Sequence, residues 1–165
     1  MSAAAIDILP AHAPERLARV RALFLEYAAG LGIDLGFQDF EGELESLPGE
    51  YAPPRGGLWL AEAQGGDAGC AALRPLGGEA AELKRMYVRP AWRGRGLGRC
   101  LAGTIIASAR AAGYRALRLD TLSSMAEARA LYRSLGFRPI PAYCPNPLPG
   151  TEWMELELDR QDGPK

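Results

Sequence analysis

The sequence predicts a single α/β domain, with a mixed, mostly antiparallel sheet and helices on both faces. Three observations carry that expectation. The chain of 165 residues is 48% apolar and 24% charged, ordinary values for one globular domain with a sizeable core. Segments of period two and of period three to four succeed one another in the order β-α-α-β-β-β-α-β-α-β-β. No internal repeat or linker interrupts them, so the domain is expected to span 1–165, with its core at about 4–159 and a short tail at 160–165.

Residues 6–9 are a short apolar segment and read as the first strand. Pro14 then stands where a helix takes its first turn, and Glu15 complements the helix dipole. Leu17, Val20, Phe24, Tyr27 and Leu31 mark one apolar face, and Gly30 and Gly32 offer an end. Phe37, Phe40, Leu44 and Leu47 suggest a shorter second helix, stopped by Pro48-Gly49. After a Pro/Gly-rich loop at 51–57, residues 58–64 and 69–74 read as strands joined by a hairpin turn at Gly65-Gly66. Residues 82–88 form the next strand, closed by Pro90. The period changes at 96–112, where Leu97, Leu101, Ile105, Ser108 and Ala112 mark a helix face. A strand at 115–121, a helix at 125–135, an extended piece at 137–140, a loop with four prolines at 141–150 and a strand at 152–158 complete the order.

Composition excludes several functions. Nineteen basic against 20 acidic residues give a net charge of -1, no field for drawing nucleic acid or an anionic membrane. Neither a signal peptide nor an apolar run near the roughly 20 residues of a membrane span is present, which predicts a cytoplasmic protein. Cys70, Cys100 and Cys144 are odd in number and far apart, which argues against a disulfide framework and a zinc site. The lone histidine, His12, reads as a loop residue, so no metal is expected. Cys70 and Cys100 read as small core residues rather than nucleophiles.

The sharpest feature is Val88-Arg89-Pro90-Ala91-Trp92-Arg93-Gly94-Arg95-Gly96-Leu97-Gly98-Arg99, a strand running into a glycine-rich turn that opens a helix. Gly94, Gly96 and Gly98 remove side chains where phosphates would press on the backbone, and successive N–H groups can form an anion nest. The helix N-terminus adds its free N–H groups and positive dipole end. Arg93, Arg95 and Arg99 supply cations. No Lys-Ser/Thr follows the glycines, so this is not a P-loop, and the Gly-x-Gly-x-Gly spacing is not the dinucleotide fingerprint.

Arg93-x-x-Gly96-x-Gly98 resembles the pyrophosphate-binding motif, Gln/Arg-x-x-Gly-x-Gly/Ala, of the Gcn5-related N-acetyltransferases (GNAT superfamily). Glu82-Leu83-Lys84-Arg85-Met86-Tyr87-Val88-Arg89-Pro90 resembles the strand leading into it. Ala130-Leu131-Tyr132-Arg133-Ser134-Leu135-Gly136-Phe137 is similar to the family's second helix signature, and the element order matches along nearly the whole chain. The resemblance implies a GNAT-like fold and an acetyl-CoA-dependent N-acetyltransferase that passes an acetyl group directly to an amine in a ternary complex. The alternative is a non-catalytic acyl-CoA sensor. Carried over, the backbone of Met86 and Val88 bonds the pantetheine arm, and the N–H groups of Arg93, Gly94, Gly96, Gly98 and Arg99 hold the pyrophosphate. Tyr132 matches the tyrosine that protonates the leaving thiolate, although on residue grounds it also reads as core packing. The Met86 N–H becomes the oxyanion donor. Glu82 takes the offset at which some members carry a glutamate base, and by period two it shares a face with Lys84, Met86 and Val88. Its other reading is a surface glutamate paired with Lys84 or Arg85. One departure is Met125, where many members carry an asparagine that bonds pantetheine; Ser123 and Ser124 are the nearby substitutes.

The same resemblance places the acceptor site at residues 32–50 and 141–153. The acidic run Asp34, Asp39, Glu41, Glu43, Glu45 and Glu50 reads first as a solvated helix face, and otherwise as a mouth for a cationic amine. Phe37, Asp39, Tyr143 and Asn146 are the acceptor-site candidates, with Trp153 beside them. A small-molecule amine or a peptide amino group both fit. Homodimerisation is an expectation that accompanies the family, and no interface is legible in the sequence.

Overall fold

The computed structural model describes residues 5–32, 35–36 and 39–158. One seven-stranded sheet runs through it: β1 (Ile6–Pro10), β2 (Gly57–Ala63), β3 (Gly66–Gly77), β4 (Ala80–Val88), β5 (Ala116–Leu122), β6 (Arg138–Ile140) and β7 (Thr151–Glu157), in the spatial order β1-β2-β3-β4-β5-β7-β6. Every neighbouring pair is antiparallel except β4 and β5. Four α-helices flank the sheet: α1 (Pro14–Leu31), α2 (Phe40–Ser46), α3 (Leu97–Ala111) and α4 (Ala126–Ser134). Each expected element is present. Phe37 and Asp34 lie outside the described residues. None of the described helices is long and apolar enough to cross a membrane.

Period two on a sheet covered on both sides sorts the core into two halves. Leu58, Leu60, Cys70 and Ala72 pack with Val20, Leu23 and Phe24 of α1 and Phe40 of α2. Ala61, Ala71, Leu73 and Leu83 pack with Leu97, Leu101 and Ile105 of α3, and with Tyr132 of α4. Cys70 is a small core residue as expected, but Cys100 is exposed. The α3 stripe runs through Leu97, Leu101 and Ile105, and Cys100 falls off it.

Two irregularities in β4 position the site. Arg85 has φ 55°, a left-handed backbone at a non-glycine residue. Opposite it the register slips, so Ala72 faces Lys84 while Cys70 faces Tyr87. Such a bulge bends a strand and sharpens its twist. Accordingly β4 pairs with β5 only at Ala80↔Ala116, Ala81↔Leu117 and Glu82↔Arg118, and from Leu83 to Val88 the two strands diverge. The bulge also corrects the period-two expectation for this strand. Lys84 and Tyr87 stand opposite Ala72 and Cys70 of the α1-side core, while Met86 and Val88 pack against the α3-side core. Glu82 therefore does not share a face with Met86 and Val88.

Candidate active site

The fork between β4 and β5 opens into a cleft of about 1050 Å³. Its walls come from β4 (Met86, Tyr87, Val88), the loop before α3 and the start of that helix (Arg93, Gly94, Gly96, Gly98, Arg99), and the start of α4. The Arg89 N–H donates to Ala68 O at 2.8 Å beside the pair Gly69↔Val88, so that pair is of the non-hydrogen-bonded kind. In an antiparallel ladder, Val88's own N–H and C=O then point away from β3, toward the fork. Arg93 Nε donates to that carbonyl at 3.0 Å. The carbonyl expected to bond pantetheine is thus already engaged by Arg93.

Beyond β4 a short 3-10 turn at Pro90–Trp92 leads into the glycine-rich loop. Gly94 (φ 76°) and Gly96 (φ 81°) take left-handed backbones with open space around them, where a side chain would cost about 1–2 kcal/mol. Gly98 is present for another reason: a Cβ there would stand 3.3 Å from Leu131 Cδ2, so it sets the approach of α3 to α4. The first helical donor of α3 is Cys100, bonded to Gly96 O, so the N–H groups of Leu97, Gly98 and Arg99 have no helical acceptor. The Arg93 N–H, expected among these donors, instead closes the turn onto Pro90 O at 3.3 Å. Arg99 reaches Ser134 Oγ at 2.7 Å, and Arg95 lies 5.0 Å over the Trp92 ring, outside the lining of the cleft.

At its inner end the cleft meets a second cavity of about 50 Å³, and Tyr27, Met86, Met125 and Ala128 line both. Tyr132 lines the inner cavity, 6% exposed, its ring 5.6 Å from that of Phe137. Burial pushes its phenol well above the usual tyrosine range. The departure at Met125 is visible: Met125 caps α4 and takes a contact from Thr121 Oγ1 at 3.6 Å. Of the two substitute serines, Ser124 lines the cleft, while the Ser123 N–H is bonded to Gly150 O at 3.0 Å.

Glu82 is 1% exposed and lines neither cavity. Arg74 Nε donates to its Oε1 at 2.8 Å, and the Tyr143 hydroxyl donates to its Oε2 at 2.6 Å. Burial, with Glu82 beside it, raises the Tyr143 phenol far above its ordinary range. Asn146 Nδ2 donates to Asp120 Oδ2 at 3.2 Å. The loop between β6 and β7 thus clasps one carboxylate on each arm of the fork. Asp39 stays exposed ahead of α2 and lines neither cavity. Glu43, read from the sequence as part of a solvated face, bonds the Arg85 guanidinium at 2.8 and 3.0 Å, and Glu50 bonds Arg74 at 2.9 Å. Asp120, Lys84 and Tyr27 line the inner cavity and were missed by sequence reasoning. A strand carboxylate alternating with buried Leu119 was the available signal for Asp120.

The family described as acetyltransferase (GNAT) domain matches residues 54–139. An uncharacterised N-acetyltransferase of Schizosaccharomyces pombe is 38% identical over 94% of this chain and 96% of its own length. Among solved structures, a GNAT-family acetyltransferase of Staphylococcus aureus superposes with a TM-score of 0.78 at 22% identity, over 94% of this chain and 100% of that one. An acetyltransferase of Salmonella typhimurium, solved with its cofactor acetyl-CoA, superposes with a TM-score of 0.66 at 23% identity, over 98% of each chain.

Proposed function

The chain belongs to the GNAT acetyltransferase family, and from that premise we propose that it transfers an acetyl group from acetyl-CoA directly to an amine held in the same fork. The observation that carries this reading is the divergence of β4 from β5 directly above a glycine-rich helix N-terminus. The open N–H of Val88, and the backbone of Met86 two residues earlier on the same alternation, would pair with an extended pantetheine arm. The N–H groups of Gly98 and Arg99, the exposed turn at Gly94 and Gly96, and the side chains of Arg93 and Arg99 would hold the pyrophosphate. The thioester then reaches the inner end of the cleft, where a Met86 N–H would stabilise the oxyanion and the Tyr132 hydroxyl would protonate the departing sulfur. Holding thioester and amine side by side contributes up to about 7–11 kcal/mol of barrier reduction. Glu82, held by Arg74 and Tyr143, anchors the acceptor loop over the fork in this reading. The acceptor is a small-molecule amine or a peptide amino group, with Tyr143 and Asn146 of the loop between β6 and β7 beside it.

The positions of the thiols support direct transfer over an acetyl-cysteine intermediate. Cys70 is fully buried and its thiol is pushed far up by desolvation, and neither Cys100 nor Cys144 lines the cleft. Incubation with acetyl-labelled acetyl-CoA, followed by acid precipitation, is expected to leave no label on the protein while an acetylated amine accumulates. Label retained on the protein and chased into amine would contradict direct transfer.

A further inference from the structure

The two carboxylates of the fork differ in what already holds them. Glu82 has a guanidinium on one oxygen and a phenol on the other, and stands outside both cavity walls. Asp120 lines the inner cavity together with Met86 and Tyr132, and its hydrogen bond among the described residues is a neutral amide contact from Asn146 on Oδ2. Asn146 is itself fixed, since its Oδ1 accepts from the Leu148 N–H at 3.0 Å. Asp120 is thus a positioned carboxylate in the wall that holds the groups assigned to the oxyanion and the leaving sulfur.

On the acetyl-CoA reading above, we propose that Asp120 receives the acceptor as an ammonium ion and removes its proton, so that the inner cavity takes the primary-amine end of a substrate that is cationic in solution. Asn146 is then a positioning residue, and Glu82 secures the loop through Tyr143. The groups facing Asp120 suit a cation. Tyr27 of α1 and Tyr132 of α4 supply aromatic walls, and Glu82, Tyr143 and Cys144 lie nearby without positive charge. Among the described residues the wall carries the cations Lys84 and Arg85, the latter committed to Glu43, and nearby Arg118, over the Tyr143 ring, is committed to Glu155. Desolvation pulls the Lys84 ammonium toward its neutral form, against the opposing pull of Glu82 and Asp120.

The step balances. The ammonium gives one proton to the Asp120 carboxylate, which later returns it to solvent. The freed nitrogen pair forms the C–N bond at the thioester carbon, and the C–S bond breaks with its electron pair on sulfur. Tyr132 protonates that sulfur and is reprotonated with the second proton lost from nitrogen. Acetyl-CoA and the ammonium become amide, free thiol and one released proton.

The test uses two small nucleophiles at neutral pH, ethylamine, which is a cation there, and hydroxylamine, which is neutral, with free thiol release from acetyl-CoA as the readout. Asp120→Asn is expected to slow the ethylamine reaction by about 100-fold or more while leaving hydroxylamine within a few-fold. Glu82→Gln, which only loosens the loop, is expected to lower both by a similar factor. The melting shift given by acetyl-CoA is expected to survive in Asp120→Asn. Equal losses with both nucleophiles would make Asp120 a structural residue and overturn the proposal, as would an undiminished ethylamine rate. A wild-type protein that is stabilised by acetyl-CoA but reacts with neither nucleophile would also overturn it. Absence of stabilisation in the wild type would instead remove the acetyl-CoA reading on which the proposal rests.

Discussion

Tyr132→Phe is expected to lower kcat by about 10²–10⁴-fold, the range of a single general acid, with little change in the affinity for acetyl-CoA. The hydroxyl is the only atom lost, and the ring keeps its place against Phe137 in the α3-side core. The variant should therefore melt close to the wild type. Burial keeps the phenol protonated across the working pH range, the form required of a proton donor, and the inner cavity places it on the wall that also carries Met86. Steady-state kinetics with saturating acetyl-CoA, together with the melting shift it gives, separate the two quantities. An unchanged kcat would return Tyr132 to a packing role, and a lost melting shift would mean that the substitution disturbs the cleft itself.

Arg85→Ala is expected to destabilise the fold by about 3–5 kcal/mol, because it leaves a carboxylate without its charge partner in a poorly solvated place. The Arg85 side chain is 2% exposed and that of Glu43 is 15% exposed, so the pair is screened from water on both sides. Its guanidinium also stands 5.1 Å from the Phe40 ring and 5.9 Å from the Tyr27 ring. The pair ties α2 to the bulge that opens the fork, so the loss should also weaken acetyl-CoA binding. For a domain of this size the melting temperature should fall on the order of 10 °C. Glu43→Leu combined with Arg85→Met should recover most of the loss, since a buried ion pair replaced by apolar groups is often neutral. Thermal melts of the single and double variants decide this. A drop of under about 1 kcal/mol for Arg85→Ala would show that the pair is solvated rather than structural.

These two expectations come from opposite ends of what the sequence discloses. Tyr132 was legible because its neighbours repeat a local signature, and the glycine-rich loop was legible because a strand, a turn and a helix start are contiguous in the chain. Element order and most strand and helix positions followed from period, although β3 runs Gly66–Gly77, beyond the 69–74 read from the sequence. The bulge at Arg85 was not legible. No glycine marks it, and a charged residue with φ 55° is held there by a partner 42 positions away. That one residue reverses the alternation of β4, separating Glu82 from Met86 and Val88, and turns the acidic Glu43 from a solvated helix residue into a half-buried partner. Asp120 was missed for a similar reason. Its importance depends on β4 and β5 parting, a tertiary event invisible in either strand alone. Likewise the Tyr143 and Asn146 side chains were expected in the acceptor region, but their hold on Glu82 and Asp120 arises only when the proline-rich loop folds across the fork.

Thermal melting in the presence of acetyl-CoA tests the central claim, that the fork between β4 and β5 is an acetyl-CoA site, most directly. A ligand that binds only the folded state adds about 2.7 kcal/mol at 100 times its dissociation constant, so a clear upward shift is expected with acetyl-CoA and none of comparable size with ATP or NAD. The shift should shrink when Gly96 is replaced by valine, which strains the loop and covers its donors. Melting unmoved by millimolar acetyl-CoA, or moved equally by all three ligands, would contradict the claim.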